Sequence, residues 1–189
     1  MLWCKRAFDI GLSLSLIILL SPLFLILALT VRMTSGSPIF HSSSRVGKNN
    51  KLFRMPKFRS MRVNAPQLPT HLLAEPSTYL TPIGRFLRRS SLDELPQLFC
   101  IVAGSMSFVG PRPALFNQDD LIALRTERGI QELVPGLTGW AQVNGRDELP
   151  IPVKVEFDYE YLQRRSLKFD VVILCKTLFK VAWGEGVRH

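Results

Sequence analysis

Cysteine, histidine and acid are all scarce in this chain. Cys4, Cys100 and Cys175 are scattered and odd in number. They form neither a disulfide framework nor a zinc-ligand spacing, which suits a reducing compartment. His41, His71 and His189 stand alone, so nothing in the sequence supports a zinc site. A Walker loop, a dinucleotide fingerprint and a serine-hydrolase elbow are all missing, which removes the commonest nucleotide-dependent and hydrolytic classes. Acids number 15 against 24 lysines and arginines, a formal charge of +9. That balance favours anionic partners: nucleic acid, anionic lipid or phosphorylated metabolites. No nucleic-acid module is recognisable, so no nucleic-acid partner is expected. Internal repeats are also absent.

The 189 residues are enough for one domain with a real core. The apolar residues are unevenly spread. From Ile10 to Val31 the chain is almost wholly apolar, interrupted by Gly11, Ser13, Ser15, Ser21-Pro22 and Thr30. As one straight helix this run is about 33 Å long, close to the roughly 30 Å hydrocarbon core of a bilayer. A spanning anchor is one reading. Two features point to a re-entrant helix that enters and leaves on the same side. Pro22 lies mid-run, where it removes a backbone hydrogen bond and bends the helix, and the Ser21 hydroxyl can serve a freed carbonyl. Lys5 and Arg6 precede the run, but Arg32, Arg45, Lys48 and Lys51 follow it, so a spanning helix would export the more basic flank. Both flanks then stay cytoplasmic, and the run is tethered to lipid.

The rest reads as a mixture of short strands and helices. Ile39–His41 and Lys51–Met55 are expected to pair around Gly47-Lys48-Asn49-Asn50 as a hairpin. In Lys57-Phe58-Arg59-Ser60-Met61 a strand would put Lys57 and Arg59 on one face. Residues 64–81 are proline-rich and read as loop. Pro82–Arg89 reads as helix, with Arg85, Arg88 and Arg89 nearly aligned. Ser91-x-x-Glu94 has the form of a capping box, while Leu95 followed by Pro96 suits a helix that starts later. Either way Asp93-Glu94 lies near a helix start, and that helix should stop at Gly104. Phe108–Pro113 is too proline-rich for a central strand, and Ala114–Ile130 reads as a single, mainly structural helix. Pro135–Trp140 reads as loop, and Asn144-Gly145-Arg146 as a turn presenting Arg146. Asp158–Gln163 should be helical, and Leu167–Trp183 reads as a C-terminal helix at the lipid interface.

Adjacent Asp93 and Glu94 admit several chemistries. A helix cap is the plain one. A glycosidase pair needs carboxyls set apart across a sugar, which neighbours rarely give. A magnesium-assisted phosphoryl site is the third: magnesium is shared between one or two carboxylates and substrate phosphates. Aspartate can then attack phosphorus, with arginines neutralising the phosphate oxygens. Arg112, between two prolines, sits on a stiff backbone suited to holding phosphate. A membrane-anchored binding or adaptor protein with a basic face is the alternative from another class.

Taken in order, Lys5-Arg6-x-x-Asp9, Ser21-Pro22, Arg45-x-Gly47, Lys57-Phe58-Arg59-Ser60-Met61 and Gly84–Arg88 resemble one family throughout. The same holds for Ser91–Gln97, Met106–Pro113 and Pro135–Arg146. That family is the bacterial sugar transferases, small monotopic phosphoglycosyl transferases. The resemblance implies an α+β monotopic membrane protein on the cytoplasmic face of the bacterial inner membrane. Residues 1–34 would form the re-entrant helix and residues 35–189 the catalytic domain. It implies transfer of a phosphosugar from a uridine-diphosphate sugar to polyprenyl phosphate, releasing UMP, at the first membrane step of surface polysaccharide or glycoconjugate synthesis. Asp93 would be the nucleophile of a covalent ping-pong reaction, with Mg2+ held near Asp93 and Glu94. Arg88 and Arg112 would bind phosphate and nucleotide, and Lys57, Arg59, Arg85 and Arg146 are further substrate-binding candidates. The chain departs from the family's frequent Asn at Cys100 and Asp at Ser105, and it looks like a minimal form that lacks the extra N-terminal helices of larger relatives. The transferred sugar and the oligomeric state, homo-oligomer included, stay open.

Overall fold

The apolar N-terminal run folds as two helices rather than one. In the computed structural model, which describes residues 2–63, 65, 76–145 and 149–183, α1 (Leu2–Leu19) and α2 (Ser21–Ser35) meet at a bend of 62°. The bend has a local cause. Pro22 carries no N–H for the carbonyl of Ile18, and the Ser21 hydroxyl donates to that carbonyl instead, at 2.8 Å. The freed carbonyl, exposed on the protein's surface, is thereby satisfied without water, which an apolar surrounding would require. Among the described residues no single helix is long and apolar enough to cross a membrane. Ile18, Leu19, Leu25, Ile26, Leu29 and Met33 are exposed along the bent pair, and large apolar residues left uncovered together mark a surface that meets lipid or a partner. The pair is a bent candidate membrane-associating segment.

Lys5 and Arg6, expected simply as a basic flank, dock α1 onto the remainder of the chain. Arg6 donates to the carbonyls of Ile101 (2.5 Å) and Val102 (2.7 Å) at the end of α4 (Gln97–Ala103), where a cation opposes the negative pole of the helix. Lys5 bonds Asp170 at 2.6 Å and the Val109 carbonyl at 3.1 Å. Buried Asp9 accepts from the Ser107 hydroxyl at 2.8 Å and the Phe108 N–H at 3.3 Å.

The expected hairpin forms and is longer at both arms. β1 (Phe40–Val46) and β2 (Leu52–Phe58) pair antiparallel over seven positions, Phe40 opposite Phe58 through Val46 opposite Leu52. Of Phe108–Pro113, expected not to form a central strand, only Phe108 and Val109 are strand: they end β3 (Ser107–Val109), which pairs in parallel with β4 (Gly136–Thr138) in a two-stranded sheet that has no central strand. The prolines do not prevent this because Pro111 and Pro113 fall after the last pairing. The crossing is close: a Cβ on Gly136 would lie 2.1 Å from the Gly110 nitrogen, and one on Gly139 2.1 Å from the Gly110 oxygen. Glycine at these positions is a steric requirement.

α3 (Gly84–Arg89) and the stop of α4 at Gly104, φ 89°, follow the sequence expectation. The long helix expected over residues 114–130 is shorter. α5 covers Asp119–Glu127, and Leu115 instead bridges to Arg45 on β1. The Pro135–Trp140 loop becomes β4 and the start of α6 (Trp140–Asn144). α7 (Ile151–Arg164) and α8 (Leu167–Trp183) complete the fold. The largest buried cluster joins Leu98 and Ile101 of α4, Met106, Phe108, Val109, Tyr161, Phe169 and Ile173, with Leu12 and Leu16 of α1 packed against it. The fold is α+β, with helices surrounding two small sheets.

Candidate functional site

A second core cluster decides where the acids stand. Leu27 and Val31 of α2 pack with Phe58 of β2 and Leu87 of α3, and Leu92 and Leu95 pack against them. These last two leucines bracket Asp93-Glu94. The acidic turn is therefore held by its own apolar neighbours against the cluster in which α2, β2 and α3 meet.

The turn itself is a 3-10 segment, Leu92–Glu94, preceded by Ser91 in the left-handed region at φ 56°. A serine rarely occupies that region. The capping box read from Ser91-x-x-Glu94 does not form, because Ser91 makes no side-chain cap hydrogen bond and Glu94 is engaged elsewhere. Pro96 stands in the cap position and α4 begins at Gln97, so the dyad lies just before the helix.

Three cations from three elements face the two acids. Lys57 of β2 reaches Glu94 Oε1 at 2.6 Å and Asp93 Oδ2 at 3.8 Å. Arg112 Nη2 donates to the same Glu94 oxygen at 3.0 Å. Arg88 of α3 donates from Nε to the Ser60 hydroxyl at 3.1 Å and lies 3.0 Å from the Met61 sulfur. α3 can seat against Ser60 only because residue 84 is glycine, since a Cβ there would lie 2.0 Å from the Ser60 oxygen. Burial lowers the Arg88 pKa, while attraction to Asp93 and Glu94 opposes that, which places both carboxylates within its electrostatic reach.

The acids are not equivalent. Burial pushes Asp93 up from the ordinary aspartate value; Lys57 opposes this, Glu94 reinforces it, and Arg88 and Arg112 oppose it. Among the described residues no donor lies within hydrogen-bond distance of its carboxylate, and the residue is 5% exposed. Burial would raise Glu94 as well, but Lys57 and Arg112, by charge and by hydrogen bond, hold it far below the ordinary glutamate value. Glu94 is a fixed anion that orders two cations. Asp93 is a poorly solvated carboxylate set among them, the condition that strengthens a nucleophile.

The other candidates separate. Arg59 leaves the end of β2 and does not share the Lys57 face. It is buried and donates to the carbonyls of Ser35, Gly36 and Ser37, closing the end of α2. Arg85 is exposed on α3. Arg146 lies outside the described residues. Cys100 belongs to the large core cluster, and Ser105 donates to the Cys100 carbonyl at 3.2 Å, so these two positions finish α4. Sequence reasoning missed Arg125 on α5, 8% exposed, which is paired with Asp158 of α7 at 2.6 Å. Its one signal was a cation among Leu121, Ile122 and Leu124, which does not point to a partner 33 positions away.

Among the described residues no group of three or more His, Cys, Asp or Glu is arranged to hold a metal ion. The carboxylates that the turn offers are those of Asp93 and Glu94, and Lys57 and Arg112 already hold Glu94 Oε1.

The chain matches the family described as "Bacterial sugar transferase" over residues 1–184. It is 39% identical over 187 residues to "Uncharacterized sugar transferase EpsL" of Bacillus subtilis, covering 98% of this chain and 90% of that protein. It is 38% identical over 183 residues to the "UDP-glucose:undecaprenyl-phosphate glucose-1-phosphate transferase" of Escherichia coli, covering 93% of this chain and 39% of that protein. A third relative, from Aeromonas hydrophila, is 37% identical over 191 residues, which is 97% of this chain and 45% of that protein. Its name is "UDP-N-acetylgalactosamine-undecaprenyl-phosphate N-acetylgalactosaminephosphotransferase". The chain belongs to the bacterial sugar transferase family.

Proposed function

We propose that this bacterial sugar transferase moves a sugar phosphate from a uridine-diphosphate sugar to undecaprenyl phosphate or a related polyprenyl phosphate. The products are polyprenyl-diphosphate sugar and UMP. The observation that carries this reading is that Leu92 and Leu95 anchor the Asp93 turn in the apolar cluster that α2 shares with β2 and α3, while Lys57, Arg88 and Arg112 face it. A soluble diphosphate and a lipid phosphate can meet only at such a place. Relatives named for glucose and for N-acetylgalactosamine align over nearly all of this chain, so the sugar is left open.

In this reading an Asp93 carboxylate oxygen attacks the sugar-bearing β-phosphorus. The bond from that phosphorus to the oxygen shared with UMP breaks, and UMP leaves with the electron pair. An oxygen of the polyprenyl phosphate then attacks the same phosphorus, and the bond to Asp93 breaks to restore the carboxylate. Arg88 and Arg112 neutralise the phosphate oxygens, where catalysis is largely positioning and electrostatics. Glu94 keeps Lys57 and Arg112 in place. Magnesium, when bound, would offset charge on the diphosphate. Asp93 is the carboxylate best able to hold it, because the Lys57 and Arg112 contacts already occupy Glu94 Oε1. Residues 1–34 serve as the membrane part and residues 35–189 as the catalytic part. α8 rests on the bilayer with Val171, Val172, Leu178, Phe179 and Val181 exposed.

Radiolabelled donors test the reaction. The protein should retain label from the sugar-phosphate portion and not from uridine. Asp93→Asn should retain none and transfer roughly 10⁴-fold more slowly. Normal turnover by Asp93→Asn would end the assignment. For localisation, tags at both termini should be reached only from the cytoplasm, and a periplasmic C-terminus would overturn the re-entrant orientation.

A further inference from the structure

The segment that carries Arg112 is held at four successive carbonyls by donors from three different elements. Pro111 O accepts from the Gly136 N–H of β4 at 2.9 Å. Arg112 O accepts from Arg125 Nη1 of α5 at 2.8 Å. Pro113 O accepts from Arg45 Nη1 of β1 at 3.3 Å, and Ala114 O from the Val46 N–H at 2.9 Å. Two prolines already fix φ on either side of Arg112. The second of these bonds is the one that acts on Arg112's own peptide. Arg125 can make it because its other edge is locked, with Nε and Nη2 donating to Asp158 Oδ2 at 3.0 and 2.6 Å. Asp158 is 1% exposed. A continuous chain therefore runs from α7 to the acids: Asp158, Arg125, the Arg112 peptide, the Arg112 guanidinium and Glu94.

We infer that Arg125, oriented by Asp158, is a positioning residue for the donor-phosphate contact of Arg112. It touches no substrate itself. Its function is to restrict the backbone from which the Arg112 guanidinium extends, so that little freedom is lost when that group meets a diphosphate. The claim rests on the reading of Arg112 as a donor-binding group. A lysine at 125 would keep the charge pair with Asp158 but lacks the planar fork that serves the carboxylate and the carbonyl together.

Arg125→Lys and Asp158→Asn test this in the full-length, detergent-solubilised protein, with UDP binding and donor and acceptor kinetics as readouts. For Arg125→Lys, the Kd for UDP and the KM for the active UDP-sugar should each rise about tenfold. Its kcat should stay within about threefold, and its KM for polyprenyl phosphate should not change. Asp158→Asn, which keeps an oxygen acceptor for Arg125, should shift the same constants in the same direction by less. A purely structural role would lower kcat through loss of active molecules and leave the UDP Kd of the folded fraction unchanged, and that result would overturn the inference. Unchanged constants in both variants would overturn it equally. Failure of the wild-type protein to bind UDP or to use any UDP-sugar would instead refute the functional reading beneath it.

Discussion

Two of the polar clusters in this chain, the α1 dock and the acidic turn, are matched to different degrees. At the α1 dock every charge meets its complement. Lys5 bonds Asp170, Arg6 closes two carbonyls of α4, and Asp9 accepts from Ser107 and Phe108. The Tyr161 hydroxyl completes it by donating to Asp170 at 2.7 Å, and burial together with Asp170 pushes that phenol far up. At the acidic turn Glu94 is matched twice, whereas Asp93 has Lys57 no nearer than 3.8 Å. A matched cluster fixes geometry, and a partly matched carboxylate is what the proposed reaction asks of Asp93.

Substitutions should separate the two clusters, beginning with Asp93→Asn. Burial raises the Asp93 pKa, so its contribution to stability is full below the unfolded-state value and is lost as pH rises through the folded one. At neutral pH the buried charge opposes folding. Asp93→Asn should therefore melt at or above the wild-type temperature while transfer disappears. Asp9→Ala should do the reverse. It leaves the Ser107 and Phe108 donors unmatched in the core and should cost about 3 kcal/mol of stability, read as a lowered melting temperature. The folded fraction should still carry label from the donor. If Asp9→Ala abolished labelling at full stability, the contrast between dock and site would fail.

Glu94→Gln should show a third pattern. Lys57 and Arg112 hold its folded pKa below the ordinary glutamate value, so its stabilising contribution is present above that value and is lost as pH falls through the folded one. The variant should be less stable than wild type at pH 7, by roughly 1–3 kcal/mol. The gap should narrow in melts taken progressively below about pH 4.5. A constant gap across that range would refute the charge-based role. Ser21→Ala should have the smallest effect, about 1 kcal/mol, because one carbonyl at the bend loses its donor. A stability loss as large as that of Asp9→Ala would show that the bend is held mainly by this hydroxyl rather than by packing.

Much of the frame could be read from local signals. Pro22 with Ser21 announced the bend and its remedy, Gly104 ended α4, and Gly47–Asn50 lay between paired strands. Each acts on its own backbone and needs no distant partner. Readings failed where tertiary contact outweighed local chemistry. Ser91 has the spacing of a capping residue, yet Glu94 is drawn to Lys57 and Arg112, and the serine is left in a left-handed turn. Arg59 alternates with Lys57 on paper, but β2 ends at Phe58 and the guanidinium turns back to the carbonyls of α2.

The sequence by itself determined that a bent apolar segment would precede a small α+β domain, and that two acids would stand among arginines and lysines. Those properties follow from apolar periodicity, proline and glycine geometry, and charge. Only the tertiary structure decided that Leu92 and Leu95 would anchor those acids in the cluster that α2 joins, that Glu94 would be held ionised by two cations while Asp93 was left under-solvated, and that Arg125 would bond both Asp158 and the Arg112 carbonyl. The physical reason is that desolvation and long-range pairing depend on which elements close over a residue, and no local stretch of chain specifies that.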